Sequence, residues 1–252
     1  MTALSVNLNK VALLRNQRDL DYPSVVEMAR IAIDAGAAGI TVHPRPDERH
    51  IRRSDVYDLA ELLARDYAGR VEYNIEGYPA PEFLELIHAV RPDQVTLVPD
   101  APDARTSDQG WDIAARGTFL KPIIEDLRRS GARIALFIDA DPSVPPLAKA
   151  VGADRVELYT GPYNDAFGTA EGEAVLATYV ETAQAVRAQG LGVNAGHDLN
   201  LDNLPRFLGA IPWVLEVSIG HAITADALKM GMADAVRAYL LALGLGQARK
   251  SA

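Results

Sequence analysis

Short apolar, β-branched runs recur eight times along the chain, and each run is followed by a helical pattern. The runs occupy residues 4–8, 39–43, 71–76, 94–98, 133–139, 155–159, 191–195 and 214–219. Each is rich in Val, Ile, Leu or Thr, as buried parallel strands are. The helical patterns cover 22–35, 54–66, 81–90, 113–130, 144–151, 169–189, 202–209 and 222–243. Pro23 falls near the first turn of the earliest helix and Gly36 just past its end, while Ser54 is placed to cap the second. The phrases DAGAAGITVH, RSGARIALFID, AVGADRVELY and AQGLGVNAGH share one grammar: a helix end, a glycine suited to a left-handed cap, a short loop and a strand. Eight strand–helix units predict an α/β fold, a single (β/α)8 TIM barrel over residues 1–252. The rival architecture is an open doubly wound sheet with added elements.

Composition narrows the function. The 252 residues suit one barrel or two small domains, and no composition break divides them. The chain has no cysteine, which excludes disulfides, thiolate metal sites, iron–sulfur clusters and a cysteine nucleophile. A net charge of −9 argues against a nucleic-acid partner, because phosphate-backbone binding needs a basic footprint. It leaves room for small phosphorylated substrates, which need only a local positive cluster. No signal peptide or membrane-spanning run is expected, so the expected location is cytoplasmic. Residues 99–110 form the longest irregular stretch, a loop that can act either as a lid or as a solvated insertion. Residues 160–168 are also turn-rich.

Barrel chemistry sits at the carboxyl ends of the strands. Four of the five histidines, His43, His50, His197 and His221, follow predicted strands there; only His88 lies inside a helix. Imidazole both takes and gives protons near neutrality, so this set suits acid–base catalysis. Glu76 ends the third strand, where it could serve as a base or pair with an arginine. No HExxH or other close ligand pair is present, so no metal is expected. Gly196 and Gly220 end strands seven and eight, where barrels commonly bind phosphate on a helix N-terminus. Arg15, Arg18 and Arg45 could add charge. Of five lysines, only Lys10 lies near a strand end, which argues against a Schiff-base aldolase. Neither GxGxxG nor a P-loop is present, so no nucleotide cofactor is expected.

The segments SVNLNKVALLRNQR, DAGAAGITVHPRPDERHI, NIEGYP, LVPD, IALFIDAD, ELYTGPY, VNAGHDLN and SIGHAI, in this order, resemble the pyridoxine 5′-phosphate synthase family of the deoxyxylulose-phosphate-dependent vitamin B6 pathway. The resemblance covers nearly the whole chain. It implies a (β/α)8 barrel with extra helices, homo-oligomeric and as a family octameric. The implied reaction condenses 1-deoxy-D-xylulose 5-phosphate with 3-amino-2-oxopropyl phosphate to pyridoxine 5′-phosphate, phosphate and water, without a cofactor. His43 and Glu76 match the family's proton acceptors and His197 its proton donor. Asn7 and Arg18 match positions that bind the amino ketone phosphate; Arg45, His50 and Thr106 match positions that bind the deoxyxylulose phosphate. Glu157 matches a residue at the reaction centre, and Gly220 with His221 matches the phosphate-binding turn. This chain departs from the common pattern at Asn9-Lys10, where many members have Asp-His, and at Asp198, where Gly is frequent. These are contact positions rather than proton carriers. Two other readings remain at this point: another phosphosugar barrel such as an epimerase or cofactor-free lyase, and a silent barrel that senses a phosphometabolite.

Overall fold

The computed structural model describes residues 1–100 and 107–248. Eight parallel strands close into a barrel in chain order, β1 through β8. They are β1 (Ala3–Asn7), β2 (Gly39–Val42), β3 (Glu72–Gly77), β4 (Gln94–Leu97), β5 (Arg133–Ile138), β6 (Arg155–Tyr159), β7 (Gly192–Gly196) and β8 (Val214–Ile219). Every strand pairs in parallel with the next, with one register shift between Val193 and Asn194 where β7 meets β8, and β8 returns to β1 through Ala3↔Glu216 to Val6↔Ile219. Closure removes both sheet edges, so the open doubly wound alternative is excluded.

The surrounding helices are amphipathic. In α2 (Val25–Asp34), Val25, Ala29, Ala32 and Ile33 form the buried stripe, and Ser24 caps the helix by accepting from the Glu27 N–H at 3.2 Å. The stripe recurs in α3 (Arg53–Asp66), with Val56, Leu59 and Leu63, and in α8 (Gly172–Ala188), with Leu176, Tyr179, Ala183 and Val186. Between them lie α4 (Pro81–Val90), α5 (Ile113–Leu127), α6 (Pro145–Val151) and α7 (Gly161–Ala166); after them come α9 (Leu204–Ala210), α10 (His221–Met230) and α11 (Met232–Ala248). An additional helix, α1 (Asn9–Arg15), starts two residues after β1. Neither α1 nor α7 is among the helices that the hydrophobic pattern predicts.

Three local expectations are corrected. The first expected helix starts at Val25 rather than at residue 22, so Pro23 precedes its cap. Ser54 is not the cap of α3; the helix starts one residue earlier, and Asp55 accepts from the Arg52 N–H at 2.7 Å. The single C-terminal helix is two, α10 and α11, broken at Gly231 with φ 84°. α11 packs on α2, α9 and α10, with Tyr239 fully buried and its hydroxyl donating to Asp226 at 3.0 Å. Most of its described apolar side chains therefore serve the fold, while Leu241 stays exposed. The glycine caps behave as expected: Gly36, Gly131, Gly152 and Gly190 have φ of 115°, 91°, 96° and 68°.

The barrel interior differs most from the expected layers of branched apolar side chains. Alternate strand residues put Ser5, Thr41, Asn74, Thr96, Gln94, Glu157, Asn194 and Glu216 inside, all buried. They are bonded around the barrel: Ser5 and Thr41 hydroxyls lie 2.6 Å apart, Thr96 Oγ1 donates to Asn74 Oδ1 at 3.1 Å, and Arg155 donates to Asn194 Oδ1 at 3.2 Å. The apolar core lies instead between the sheet and the helices.

Gly131 offers a clean test of the cap grammar, because a Cβ there would meet nothing within 4 Å. Gly131→Ala is then opposed only by left-handed strain of about 1–2 kcal/mol, less about 0.4–1 kcal/mol gained from a stiffer unfolded chain. Urea unfolding is expected to show a loss of about 1 kcal/mol in midpoint stability with an unchanged slope.

Candidate active site

The carboxyl ends of the strands surround one cavity of about 290 Å³. Asn7 closes β1; its Nδ2 donates to Glu76 Oε2 at 3.4 Å and its Oδ1 accepts from the Asn9 N–H at 3.0 Å. Asn9 Oδ1 in turn accepts from the His43 N–H at 2.9 Å. These two asparagines tie the ends of β1, β2 and β3 together. Lys10 follows Asn9 in the first turn of α1 and lines the cavity. His43 follows β2, and its Nδ1 stands 3.9 Å from Glu76 Oε2, close enough for charge to be felt but too far for a direct hydrogen bond. Glu76 and Glu157 rise from β3 and β6 into the same space.

Arg45 is buried and paired with Asp100, which also accepts from the Ser107 hydroxyl at 2.6 Å. His50 Nδ1 accepts from the Ile51 N–H at 2.8 Å, which leaves the neutral ring to donate from Nε2. The carbonyl of His50 is held by Arg15 at 3.2 Å and by Asn16 at 2.8 Å. Arg15 is therefore not a phosphate ligand: it is buried, and it clasps Asp55 at 2.5 and 2.9 Å. Arg18 lies in the exposed turn after α1 and is not among the residues lining the cavity. Thr106 lies outside the described residues, as do 101–105 of the expected lid loop.

On the opposite wall, His197 and Asp198 follow β7, and Gly220 and His221 start α10. The N–H groups of the first turn of a ten-residue helix have no carbonyl behind them and so suit an anion. A Cβ at Gly220 would come within 3.2 Å of the Asn7 side chain, so the glycine spares Asn7 a tight contact. At Gly196 the reason is different from phosphate approach: a Cβ would lie 2.2 Å from Glu157 Oε1, so the glycine makes room for that carboxylate. His197 and Asp198 both have left-handed backbone, φ 69° and 58°, at a cost of about 1–2 kcal/mol each for non-glycine residues. The His197 ring is edge-on to Phe137 and Tyr159, with centroids 5.3 and 5.8 Å away.

Burial controls the electrostatics. It holds His43 well below the ordinary imidazole value, helped by the positive charge of Arg45. It lowers His50 to about 4, with Arg45 and Lys10 adding to the effect. It lowers His197 too, against the opposing pull of Asp198 and Asp100. The carboxylates move the other way. Glu76 is pushed well above the usual range by burial and then by Glu157, Asp100 and Glu216, with Arg45 opposing. Burial raises Glu157 to about 7, with the Thr96 hydroxyl 3.5 Å from Oε2 opposing. Burial thus favours neutral imidazoles at His43, His50 and His197 and carboxyls that hold protons at Glu76 and Glu157. Among the described residues, no three His, Asp or Glu side chains are grouped to hold a metal ion.

The cavity gathers His43, Glu76, His197, Asn7, Asn9, Lys10, Arg45, His50, Glu157, Asp198, Gly220 and His221, nearly all the expected set. It adds Ser107 and Ser218, which the sequence reading missed. Ser218 was legible by phase, since it stands two residues after the inward-facing Glu216. Asp100 was not, because its partner Arg45 is 55 residues away.

Solved structures of low identity share this architecture. Thiamine phosphate pyrophosphorylase from Pyrococcus furiosus aligns with a TM-score of 0.61 at 17% identity, covering 97% of this chain and 96% of that one. Phosphoribosyl anthranilate isomerase from Thermus thermophilus aligns with a TM-score of 0.58 at 16% identity, covering 96% and 98%. Closer relatives are the pyridoxine 5′-phosphate synthases of Allorhizobium ampelinum, 52% identical over 96% of this chain and 97% of that protein, and of Albidiferax ferrireducens, 53% identical over 98% and 99%. The relative from Bacteroides thetaiotaomicron, with the same name, is 53% identical over 95% and 98%. The family model for the pyridoxal phosphate biosynthesis protein PdxJ matches residues 4–244, and the chain belongs to that family of vitamin B6 biosynthetic enzymes.

Proposed function

We propose that this cavity carries out pyridoxine 5′-phosphate synthesis by joining 1-deoxy-D-xylulose 5-phosphate to 3-amino-2-oxopropyl phosphate through acid–base catalysis alone. The observation that carries the reading is convergence. His43 and Glu76 face each other across 3.9 Å on one wall, and His197 and the start of α10 line the other wall of the same cavity. An amine and a ketone form an imine without a protein nucleophile. Loss of phosphate, dehydration and ring closure then need protons removed and returned at several atoms.

The roles follow from environment. His43 is held neutral and can accept a proton at once. Glu76, once ionised, is a stronger base than an exposed carboxylate because burial raises its proton affinity. Asn7 Nδ2 and Arg45 favour its ionised form. His197 must first be charged with a proton to act as donor. A bound phosphate dianion supplies the field that favours imidazolium, reinforcing Asp198 and Asp100. In this proposal the first turn of α10, with Gly220 and His221, holds one phosphate. Asn7 serves the amino ketone side and Arg45, His50 and Thr106 the deoxyxylulose side, as the family resemblance implies, while Asn9, Lys10 and Asp198 line the same cavity as further polar groups. Glu157 stabilises charge at the reacting carbon skeleton. We further propose that the barrel acts as one domain within a cytoplasmic homo-oligomer, as the family resemblance implies. Among the described residues, no helix is long and apolar enough to cross a membrane.

Supplying both substrates to the purified chain is expected to yield pyridoxine 5′-phosphate by mass spectrometry. His197→Asn and Glu76→Gln should each lower kcat by about 100-fold or more. Conversion of the deoxyxylulose phosphate alone would favour an epimerase, and binding without turnover a sensor.

The neutral imidazoles set the sign of a second expectation. Burial suppresses the protonation of His43, His50 and His197 and a neighbouring dianion favours it, so phosphate binding takes up protons and tightens as pH falls. Calorimetry at about pH 7.5, above the phosphate second pKa of about 6, in buffers of different ionisation enthalpy should show net proton uptake. Zero uptake or release would contradict the assigned protonation states.

A further inference from the structure

Strand alternation by itself would turn His197 away from the cavity. In β7, Asn194 faces the interior, and Gly196 does too, since its missing Cβ points at the Glu157 carboxylate. The next residue of an extended strand would face the helices. His197 nevertheless lines the cavity, where the backbone leaves the extended strand through left-handed φ of 69° at His197 and 58° at Asp198. Neither residue is glycine, so the surrounding structure must hold this backbone in place.

Side chains occupy all three successive carbonyls of the turn. Thr160, fully buried at the end of β6, donates its hydroxyl to Gly196 O at 2.6 Å and lies against His197 O as well. Its own N–H donates to Gly196 O at 3.0 Å. The Asp198 carbonyl accepts from Asn203 Nδ2 at 3.1 Å and Asn200 Nδ2 at 3.3 Å. Asn203 and Asn200 lock each other reciprocally: Asn200 N–H donates to Asn203 Oδ1 at 2.8 Å, and Asn203 N–H donates to Asn200 Oδ1 at 3.1 Å. Both amides also donate to Asn164 Oδ1 on α7, at 3.2 and 3.1 Å. Asn203 is fully buried, and its carbonyl accepts from Tyr163 at 2.9 Å.

We propose that Thr160, Asn164, Asn200 and Asn203 are positioning residues for His197, holding the left-handed turn that directs its imidazole into the cavity. None of them is among the residues lining the cavity. They act through the carbonyls of residues 196–198, and α7 serves as the anchor. The inference rests on the reading of His197 as proton donor, and it adds a requirement: the donor works only while the loops after β6 and β7 stay clasped.

The test compares Thr160→Val, which keeps shape but removes the hydroxyl, with Thr160→Ser, which keeps the hydroxyl, and with Asn164→Ala, a milder change outside the strand. Thr160→Val and Asn164→Ala are expected to lower kcat by about 10- to 100-fold, the scale of a small misplacement of a catalytic group, with KM little changed. Thr160→Ser should restore most of kcat. The His197 ring is followed by NMR titration. In the parent it is buried against Phe137 and Tyr159, with Asp198, Asp100, Lys10, Arg45 and His43 as its charged and titratable neighbours, and burial is expected to hold it below the ordinary imidazole value. Release from the clasp should move it toward 6.5 in Thr160→Val but not in Thr160→Ser. A His197 titration that stays put in both Thr160→Val and Asn164→Ala, or loss of kcat that Thr160→Ser fails to rescue, would overturn the proposal. If Thr160→Val does not fold, Asn164→Ala and Thr160→Ser decide it by the same readouts. The two readings fail separately: an active His197→Asn removes the donor role, whereas an inactive His197→Asn beside an unaltered titration in the clasp variants removes only the positioning role.

Discussion

Three carboxyl groups share the interior of one barrel, and this crowding governs the site above them. Glu76, Glu157 and Glu216 are all buried, and each is pushed upward by burial. Glu157 also opposes the ionisation of both Glu76 and Glu216. Like charges in a low-dielectric space cannot all ionise together, so protons are retained inside the barrel. Arg155 meets Glu216 at 3.5 Å toward the amino-terminal end, and Arg45 stands near Glu76 toward the carboxyl end. The cavity is therefore assembled close to neutral, and the substrates' phosphates bring the dominant charge.

That constraint explains the shape of the polar interior. A carboxyl in the interior needs neighbours that can hydrogen-bond to either protonation state, and hydroxyls and amides do so. Thr96 lies between Asn74 and Glu157, and Gln94 donates to Glu216 at 3.5 Å while accepting from Asn194 at 3.4 Å. It also explains a glycine: Gly196 leaves the space that the Glu157 oxygen fills. Removing the β7 side chain there is what lets a β6 carboxyl reach the centre. The next residue must then be turned inward by another device, and the backbone of His197 records it.

Much of this was readable from residue order. The eight runs and the four cap glycines point to the barrel, and the placement of histidines after strands points to the end of it where the cavity lies. The interior polarity was also written in the strands, as the spacing of Asn74 and Glu76 or of Glu216 and Ser218 shows, but the apolar partners of each pair dominated the pattern. Arg15 shows where the reading failed. An arginine after strand one looks like a phosphate ligand, yet its guanidinium is taken by Asp55, 40 residues on. Arg45 is similarly tied to Asp100. Nothing local separates a free arginine from a committed one.

The sequence by itself determined the architecture and the kinds of chemistry available. Strand and helix periodicity, glycine caps and the placement of His, Glu and Asn relative to strand ends are all properties of neighbours along the chain. Tertiary structure alone decided which of those groups are charged, which arginines are already paired, and which way His197 points. Desolvation, like-charge repulsion and the clasp on the β7 turn are set by residues dozens of positions apart, and they come into force only when the barrel closes.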